Sequence, residues 1–195
     1  MKKWTGVGSQ KTPESVCMVE TLFAQTKPNS IMRSGAAKGS DKAFEDGAKH
    51  TEIYLPDRGF RGHQTGIWQY TEEQAMWGEY LAQKVYPIVI QNKQHMKMFR
   101  RNAFQVVGLS TCVEDSDPSE FLVCWTPDGC VSPSGYLRGR TGGTGVAIMI
   151  AWEFDIPIYN LRNKPDMKKV LARIDRYGTD INPIKQRLMR EGLYG

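Results

Sequence analysis

Short apolar segments with the two-residue period of strands alternate along the chain with segments that have the 3.6-residue period of helices. Strands are predicted at residues 4–8, 31–35, 51–55, 120–126 and 156–161. Helices are predicted at residues 13–25, 41–49, 71–85, 94–107, 143–152 and 166–176, with Ser40 and Thr71 as candidate N-caps. This regular alternation predicts an α/β fold in which helices cover both faces of a parallel sheet.

Two of these segments show how the sheet is covered. Residues 120–126 form a nearly unbroken apolar run, which is typical of a central parallel strand. Residues 146–152 are apolar around the whole circumference of their predicted helix, so both of its sides must be covered. The sheet can cover one side. A second copy of the chain in a homodimer and the C-terminal segment are the two candidates for the other.

Two glycine-rich turns precede predicted helices, one at residues 140–145 and the other at residues 33–41. Glycines let backbone N–H groups approach an anion without interference from a Cβ atom, and the following helix directs the positive end of its dipole to the same point. Two such turns in one small α/β domain predict a site for the phosphates of a nucleotide. The alternative is that each turn is a tight connection without a ligand.

Length and composition fit one domain. The chain has 195 residues, of which 40% are hydrophobic, and we expect residues 164–195 to pack as a helix and tail on a domain formed by residues 1–163. No segment approaches the roughly 20 apolar residues of a membrane span. The N-terminus has no long apolar region and no small-residue cleavage site. We therefore expect a cytoplasmic protein with no membrane partner.

The net charge of +5 arises from 26 basic and 21 acidic residues without a long basic block. This modest excess suits an anionic small molecule and a nucleic acid about equally. Four cysteines and three histidines are scattered without a C-x-x-C pair, so we expect neither a disulfide framework nor a metal site, and no cofactor. Cys124 lies within an apolar strand and is expected to be a small core residue.

Several segments resemble one family in their order along the chain. Residues 32–48 resemble an "RSGGAxGAD-x-AFExGA" signature, residues 52–60 an "EIYLPWxGF" stretch, residues 101–108 an "RNxxQVxG" element, and residues 121–129 with 142–144 a "VVCWTPDG…GGT" portion. These are elements of the SLOG superfamily, in particular of its small phage and bacterial members. The superfamily includes the Lonely-Guy (LOG) phosphoribohydrolases, the DNA-processing protein A recombination mediators and sensor domains that bind nucleotide-derived signals in bacterial immunity.

The resemblance implies a Rossmann-like sheet with a nucleotide or nucleic-acid ligand above the carboxyl ends of its strands, where strand-to-helix turns converge. The residues expected to bind it are Gly8, Ser9, Ser34, Gly35, Gly39, Thr126, Gly142, Gly143 and Thr144. Thr144 can donate to a phosphate, and it can equally cap the helix that follows. Arg101 and Asn102 suit a phosphate and a base or sugar edge, although an amphipathic helix also exposes such residues for solubility.

Asp41 and Glu45 are the candidate catalytic residues. They lie four residues apart on one helical face, and like charges at this spacing destabilise a solvated helix by a few tenths of a kcal/mol. Two carboxylates there can accept hydrogen bonds from ribose hydroxyls or activate water at an anomeric carbon. The alternative is that Asp41 stabilises the helix dipole while Glu45 is solvated.

Two departures weaken the enzymatic interpretation. LOG enzymes carry a "PGGxGTxxE" motif whose glutamate serves N-glycosidic cleavage, and Met149 stands at that position here. A methionine can neither act as a base nor stabilise an oxocarbenium ion. The first turn reads Gly8-Ser9-Gln10 where relatives often have an arginine third, so one phosphate ligand is absent.

Three hypotheses follow. The first is a phage-encoded protein that binds a nucleotide or ADP-ribose-type ligand in the glycine-rich crevice and, by holding a nucleotide immune signal in the host cytoplasm, acts against bacterial defence. The second is a nucleoside-phosphate N-glycosidase that uses Asp41 or Glu45. The third, less favoured, is a DNA-processing-like binder of single-stranded DNA that uses Arg58, Arg61, Trp68, Tyr70, Arg138 and Arg140.

Overall fold

The computed structural model describes residues 1–195 and contains one five-stranded sheet with seven α-helices around it. The strands are β1 (Lys2–Gly8), β2 (Ser30–Ser34), β3 (His50–Ile53), β4 (Leu122–Trp125) and β5 (Ile158–Asn160). The helices are α1 (Glu14–Gln25), α2 (Ser40–Gly47), α3 (Glu72–Val85), α4 (Lys93–Val107), α5 (Thr144–Glu153), α6 (Lys164–Arg176) and α7 (Asn182–Arg190). Every predicted element is present with ends that differ by at most two residues, whereas α7 was not predicted.

The strands are all parallel and lie in the order β3-β2-β1-β4-β5, which confirms the predicted Rossmann-like α/β fold. Thr5 at the middle of β1 pairs with Arg33 of β2 on one side and with Leu122 of β4 on the other. From β1 the chain first builds the sheet towards β3 and then returns to add β4 and β5 on the opposite side. The order therefore reverses between β1 and β4, and a crevice is expected at the carboxyl ends of these two strands.

Alternate side chains of the strands enter two separate cores. Trp4 and Val123 point to one face of the sheet, where α1, α2, α6 and α7 cover them. Val7 and Cys124 point to the other face, which α3, α4 and α5 cover. Cys124 is fully buried, as predicted, and burial raises the pKa of its thiol. Residues 164–195 thus pack on the first core through α6 and α7.

The cover of α5 comes from elsewhere in the same chain. Val146 and Ile150 share a core with Leu81 of α3 and Val106 of α4, while the sheet covers the other side of the helix. For residues 146–151 neither a second copy nor the C-terminal segment is needed, since α6 and α7 pack against α1 instead. Trp152, the last residue of the apolar run, is 54% exposed. The apolar circumference of α5 therefore no longer argues for a homodimer, which stays an untested prediction.

The two candidate N-caps differ in outcome. Thr71 caps α3 as predicted: its hydroxyl accepts from the backbone N–H of Gln74 at 3.2 Å, and the Gln74 side chain accepts from the N–H of Thr71 at 3.0 Å. The prediction for Ser40 is wrong, because Gly39 is the N-cap of α2 and Ser40 is its first residue. The Ser40 hydroxyl instead donates to the buried Glu20 carboxyl group at 2.7 Å.

None of the seven helices combines the length and the apolar character that a membrane span requires.

Candidate functional site

A cavity of about 510 Å³ opens at the carboxyl ends of β1 and β4, where the strand order reverses. Its walls come from the turn after β1, the start of α2, the middle of α4 and the turn before α5. The lining residues lie in the segments 7–11, 98–105 and 139–147, together with Ala37, Asp41 and Pro127. Segments far apart in the sequence therefore meet at one concave site, which is where ligands bind in folds of this type.

The structure brings most of the predicted site residues to this cavity. Those that line it are Gly8, Ser9, Asp41, Arg101, Asn102, Gly142, Gly143 and Thr144. Those that do not line it are Ser34, Gly35, Gly39, Glu45 and Thr126. The turn before α5 therefore reaches the cavity with several residues, whereas the turn after β2 contributes only Ala37 and its helical end at Asp41.

Four of the remaining residues form a layer behind the cavity wall. The Ser34 hydroxyl donates to the carbonyl of Gly6 at 2.7 Å, and that of Thr126 accepts from the Asn160 side chain at 2.7 Å. Gly35 and Gly39 make room for neighbours: a Cβ atom on Gly39 would lie 2.3 Å from the carbonyl oxygen of Ser9. These residues position the wall but do not reach the cavity.

The turn before α5 presents a row of free backbone donors. The N–H groups of Gly142, Gly143 and Thr144 donate to no acceptor within the chain, and no side chain caps the helix. Gly142 has a φ of +66°, which favours glycine, and the Asn102 side chain fixes the next residue by donating to its carbonyl at 2.8 Å. Three free amides at the positive end of the α5 dipole form a site suited to an anion.

The floor of the cavity holds a buried ion pair between Arg101 and Asp41. Their closest atoms are 3.4 Å apart, and both side chains are at most 5% exposed. The Asp41 carboxylate also accepts from the N–H groups of Gly8 at 3.1 Å and Ala37 at 3.3 Å. Burial raises the pKa of Asp41, and this shift is opposed by the guanidinium and the two amides. Burial also disfavours the charged form of Arg101 and therefore lowers the pKa of its guanidinium.

Two donors on the same wall have no partner. Nε of Arg101 and Nε2 of Gln105 are buried atoms without a hydrogen bond in the structure. Gln105 is 1% exposed and lines the cavity one helical turn after Arg101. A buried polar group without a partner is destabilising unless water or a ligand satisfies it. Both atoms lie beneath the cavity surface, so a ligand could satisfy them only after these side chains turn towards it.

The cavity carries a net positive charge. Its cations are Lys11, Arg101 and Arg140, and its only carboxylate is Asp41. Because Asp41 is paired with Arg101, Lys11 and Arg140 remain exposed at the rim without a carboxylate within 4 Å. The electrostatic field therefore favours an anionic ligand.

The second candidate carboxylate lies outside the cavity. An oxygen of Glu45 is 3.6 Å from Nδ1 of His63, and the other oxygen is buried without a hydrogen bond. Asp41 and Glu45 therefore do not face one ligand, although they lie on one helix. Met149 is buried in α5 and does not line the cavity either.

The segment between β3 and α3 contacts the turn after β1 and the start of α4, although none of its residues lines the cavity. Arg61 donates to the side chain of Gln10 at 2.9 Å, on the turn after β1. Asp57 pairs with Lys97 of α4 at 2.5 Å and accepts from Gln94 at 3.2 Å. The segment is thus held by exposed side-chain contacts to Gln10, which lines the cavity, and to two residues of α4 that do not.

Sequence reasoning assigned no cavity role to several lining residues, namely Gln10, Lys11, Met98, Phe99 and Gln105. For Gln105 a signal existed, because residues 101, 102 and 105 share one face of a helix. Thr141 lies in the predicted turn at residues 140–145, but its hydroxyl donates to Asp128 and accepts from the N–H of Leu137 at 2.9 Å, contacts that only the folded loop creates.

Comparison of the chain with models of known protein families, with curated protein sequences and with solved structures gave no match. The SLOG resemblance therefore stays a prediction, and function has to be argued from the site itself.

Proposed function

We propose that this protein binds a nucleotide or an ADP-ribose-type ligand in the cavity between β1 and β4 and holds it without turnover. In this proposal the phosphates lie against the amides of Gly142, Gly143 and Thr144, while the side chains of Arg101 and Gln105 turn to donate to the deeper part of the ligand. A phage protein with this property would withdraw a nucleotide immune signal from its host.

One observation carries the proposal: three residues with free backbone amides and two side chains with unpartnered donors line a single cavity with a net positive charge. Hydrogen bonds to a charged acceptor are about twice as strong as neutral ones. A phosphorylated ligand would therefore satisfy groups that are left without acceptors in the folded chain. An uncharged ligand would gain no favourable electrostatic interaction with the positive end of the helix dipole or with the rim cations.

Binding without cleavage is favoured by the state of the carboxylates. Asp41 accepts three hydrogen bonds and is paired with Arg101, so its oxygens are occupied. Glu45 does not line the cavity, and Met149 stands where LOG enzymes have glutamate. Hydrolysis of an N-glycosidic bond needs a free carboxylate beside the sugar. The N-glycosidase hypothesis therefore depends on Asp41 leaving its partners.

Binding of single-stranded DNA by the segment between β3 and α3 is less supported. Arg58 lies over the Trp68 ring at 5.8 Å, and Trp68 packs on the core beside α1 and α2. The Tyr70 hydroxyl donates to backbone carbonyls, and its ring packs on Phe104 at 5.0 Å. These faces are engaged within the chain, so they do not offer bases a free stacking platform.

The test begins with the purified protein. Small molecules that copurify are released by denaturation and identified by mass spectrometry, and calorimetric titration with a panel of nucleotides and ADP-ribose follows. Recovery of an intact phosphorylated ligand supports the proposal. Recovery of a free base after incubation would indicate that the protein hydrolyses the ligand instead. If no member of the panel binds, the proposal is contradicted.

Gly143→Asp is the variant that tests the site. Its Cβ has room, since the nearest atom is 3.5 Å away, and its carboxylate would repel a phosphate from the free amides. We expect at least a tenfold loss of affinity without a fall in melting temperature, because an aspartate at the N-cap of α5 interacts favourably with the helix dipole. Gly135→Asp is the matched control, because its Cβ is also unobstructed, with the nearest atom 3.7 Å away, and Gly135 lies outside the cavity.

A further inference from the structure

The net charge of the chain is concentrated in its last two helices. Residues 162–195 contain nine Lys and Arg residues and four Asp and Glu residues, so they account for the whole net charge of +5. Residues 1–161, which include the cavity, are neutral overall. The modest overall charge thus conceals a basic C-terminal unit, and a segregated charge of this kind points to an anionic partner.

Three cations of this unit follow one side of α6 over consecutive turns, and we call Lys169, Arg173 and Arg176 the α6 stripe. The opposite side of the helix is buried at Met167, Val170, Leu171 and Ile174. Only Lys169 has a carboxylate within 4 Å, that of Asp166 at 3.6 Å, and its side chain is still 65% exposed. Arg173 and Arg176 are exposed with no carboxylate partner.

The stripe borders an aromatic cleft at the end of the molecule away from the cavity. The cleft has a volume of about 200 Å³ and is lined by Phe23, Lys27, Phe121, Tyr159, Lys169 and Val170. Phe121 and Tyr159 meet edge to face at 6.4 Å between ring centres. Both are only partly buried, so the aromatic surface is open to solvent at the cleft.

Lysine ammonium groups lie over both of these rings. Nζ of Lys27 lies 4.8 Å from the centre of the Phe121 ring, and Nζ of Lys169 lies 5.5 Å from that of Tyr159. Lys27 has no carboxylate partner, and the pKa of its amine is lowered by burial and then by the nearby Arg173. Cations are therefore crowded around an aromatic cleft without enough carboxylates to balance them.

We propose that the α6 stripe and the adjoining aromatic cleft form a binding surface for single-stranded nucleic acid, separate from the cavity. Phosphates bind along Lys169, Arg173 and Arg176, and an unstacked base enters the cleft against Tyr159 as the lysines turn outward to the phosphates. Sequence-independent binding of single strands combines a basic track with aromatic stacking in this way. A duplex keeps its bases stacked, so it would use the cations alone and bind more weakly.

The test is fluorescence anisotropy of the full chain with a fluorescein-labelled oligodeoxythymidine at about 50 mM to 200 mM salt. For single strands log K falls with log salt by about 0.7 for each phosphate contacted. The triple variant Lys169→Glu, Arg173→Glu, Arg176→Glu should bind at least tenfold more weakly, with a salt slope smaller by about 2. A matched triple variant, Lys42→Glu, Lys49→Glu, Lys93→Glu, changes the net charge equally at exposed sites elsewhere and should lose less than threefold.

Two further measurements do not depend on charge reversal. Tyr159→Leu should weaken binding about fivefold without changing the salt slope, because it removes the stacking face and leaves the cations. In the unchanged protein, a bromodeoxyuridine oligonucleotide should photocrosslink to Tyr159 or Phe121, as mapped by mass spectrometry. Gly143→Asp should bind the oligonucleotide normally, because the cavity is not involved.

Four outcomes would overturn the inference. They are equal losses in the two triple variants, a crosslink elsewhere in the chain, loss of oligonucleotide binding in Gly143→Asp, and binding to anionic phospholipid vesicles without binding to the oligonucleotide. Because the Gly143→Asp variant separates the two surfaces, failure through any of the other three outcomes leaves the proposed role of the cavity unaffected.

Discussion

A Cβ atom built on Gly35 would lie 1.6 Å from Nη1 of Arg101 and 2.1 Å from Nε2 of Gln105. The guanidinium and the carboxamide thus lie directly against the backbone after β2, which only glycine permits. The glycine-rich turn at residues 33–41 therefore serves the cavity by making room for two side chains of α4. Its contribution differs from that of the turn before α5, whose residues with free amides line the cavity.

Gly35→Ala should displace Arg101 from Asp41. Inserting a methyl group into a packed site destabilises a protein by about 1–3 kcal/mol, and we expect a loss of this size in the free energy of unfolding, measured by urea denaturation. Ligand affinity should fall as well, because Arg101 and Gln105 move. Gly135→Ala is the control and should change stability by less than about 0.5 kcal/mol. Unchanged stability in Gly35→Ala would refute the contact.

The Arg101–Asp41 pair predicts strong coupling between two substitutions. Asp41→Asn leaves a buried guanidinium without a counter-charge and should lower the free energy of unfolding by about 3–5 kcal/mol. Combining it with Arg101→Met removes that charge, so the double variant should be more stable than the sum of the single losses implies. The measurement is a double-mutant cycle by urea denaturation. Additive losses would show that the pair does not interact.

The sequence predicts the fold better than the site, and particular residues show why. Strands and helices are predicted from the local periodicity of apolar residues such as Val123 and Val106. This prediction does not require knowing which residues they contact. The short α7 was not predicted because only Ile184 and Leu188 are buried along its length, which is too few to define a helical period. The free amides at Gly142, Gly143 and Thr144 could be predicted from the sequence, since glycine spacing before a helix is a local signal.

Roles that depend on partners distant in the sequence could not be predicted from it. Nothing near Gly35 in the sequence indicates that Arg101, 66 residues later, lies against it. Glu20 is different, because Val16, Val19 and Phe23 mark the buried face of α1 and residue 20 falls on it. Periodicity could have identified this buried carboxyl group, although its hydroxyl partner Ser40 emerges only from the packing of α1 on α2.

Glu20 predicts a specific pH dependence of stability. Its side chain is fully buried with one oxygen unpartnered, and its pKa is raised well above the usual 4.5, by burial first and by the Asp41 carboxylate as well, while the Ser40 hydroxyl opposes the shift. The folded state therefore retains a proton that the unfolded chain releases above about pH 4.5. Stability from this group is present below that pH and is lost as pH rises towards the folded pKa.

Glu20→Gln removes this titration and keeps an acceptor for Ser40. The variant should gain stability relative to the unchanged protein as pH rises above 4.5, by at most about 1.4 kcal/mol per pH unit. Urea denaturation at several values between pH 4 and pH 8 measures the difference. A difference that is constant over this range would mean that Glu20 has the same pKa in both states.

Arg140 and Arg138 offer a matched test of the rim of the cavity. Both are exposed arginines of one loop, two residues apart, but only Arg140 lines the cavity. An exposed cation contributes little through screened charge, so Arg140→Ala should reduce affinity for a phosphorylated ligand about fivefold, or about 1 kcal/mol. Its binding should also depend less on salt, because one cation fewer attracts the ligand. Arg138→Ala should match the unchanged protein in calorimetric titrations at two salt concentrations. Equal effects of the two substitutions would indicate general attraction to the loop and would remove Arg140 from the binding site.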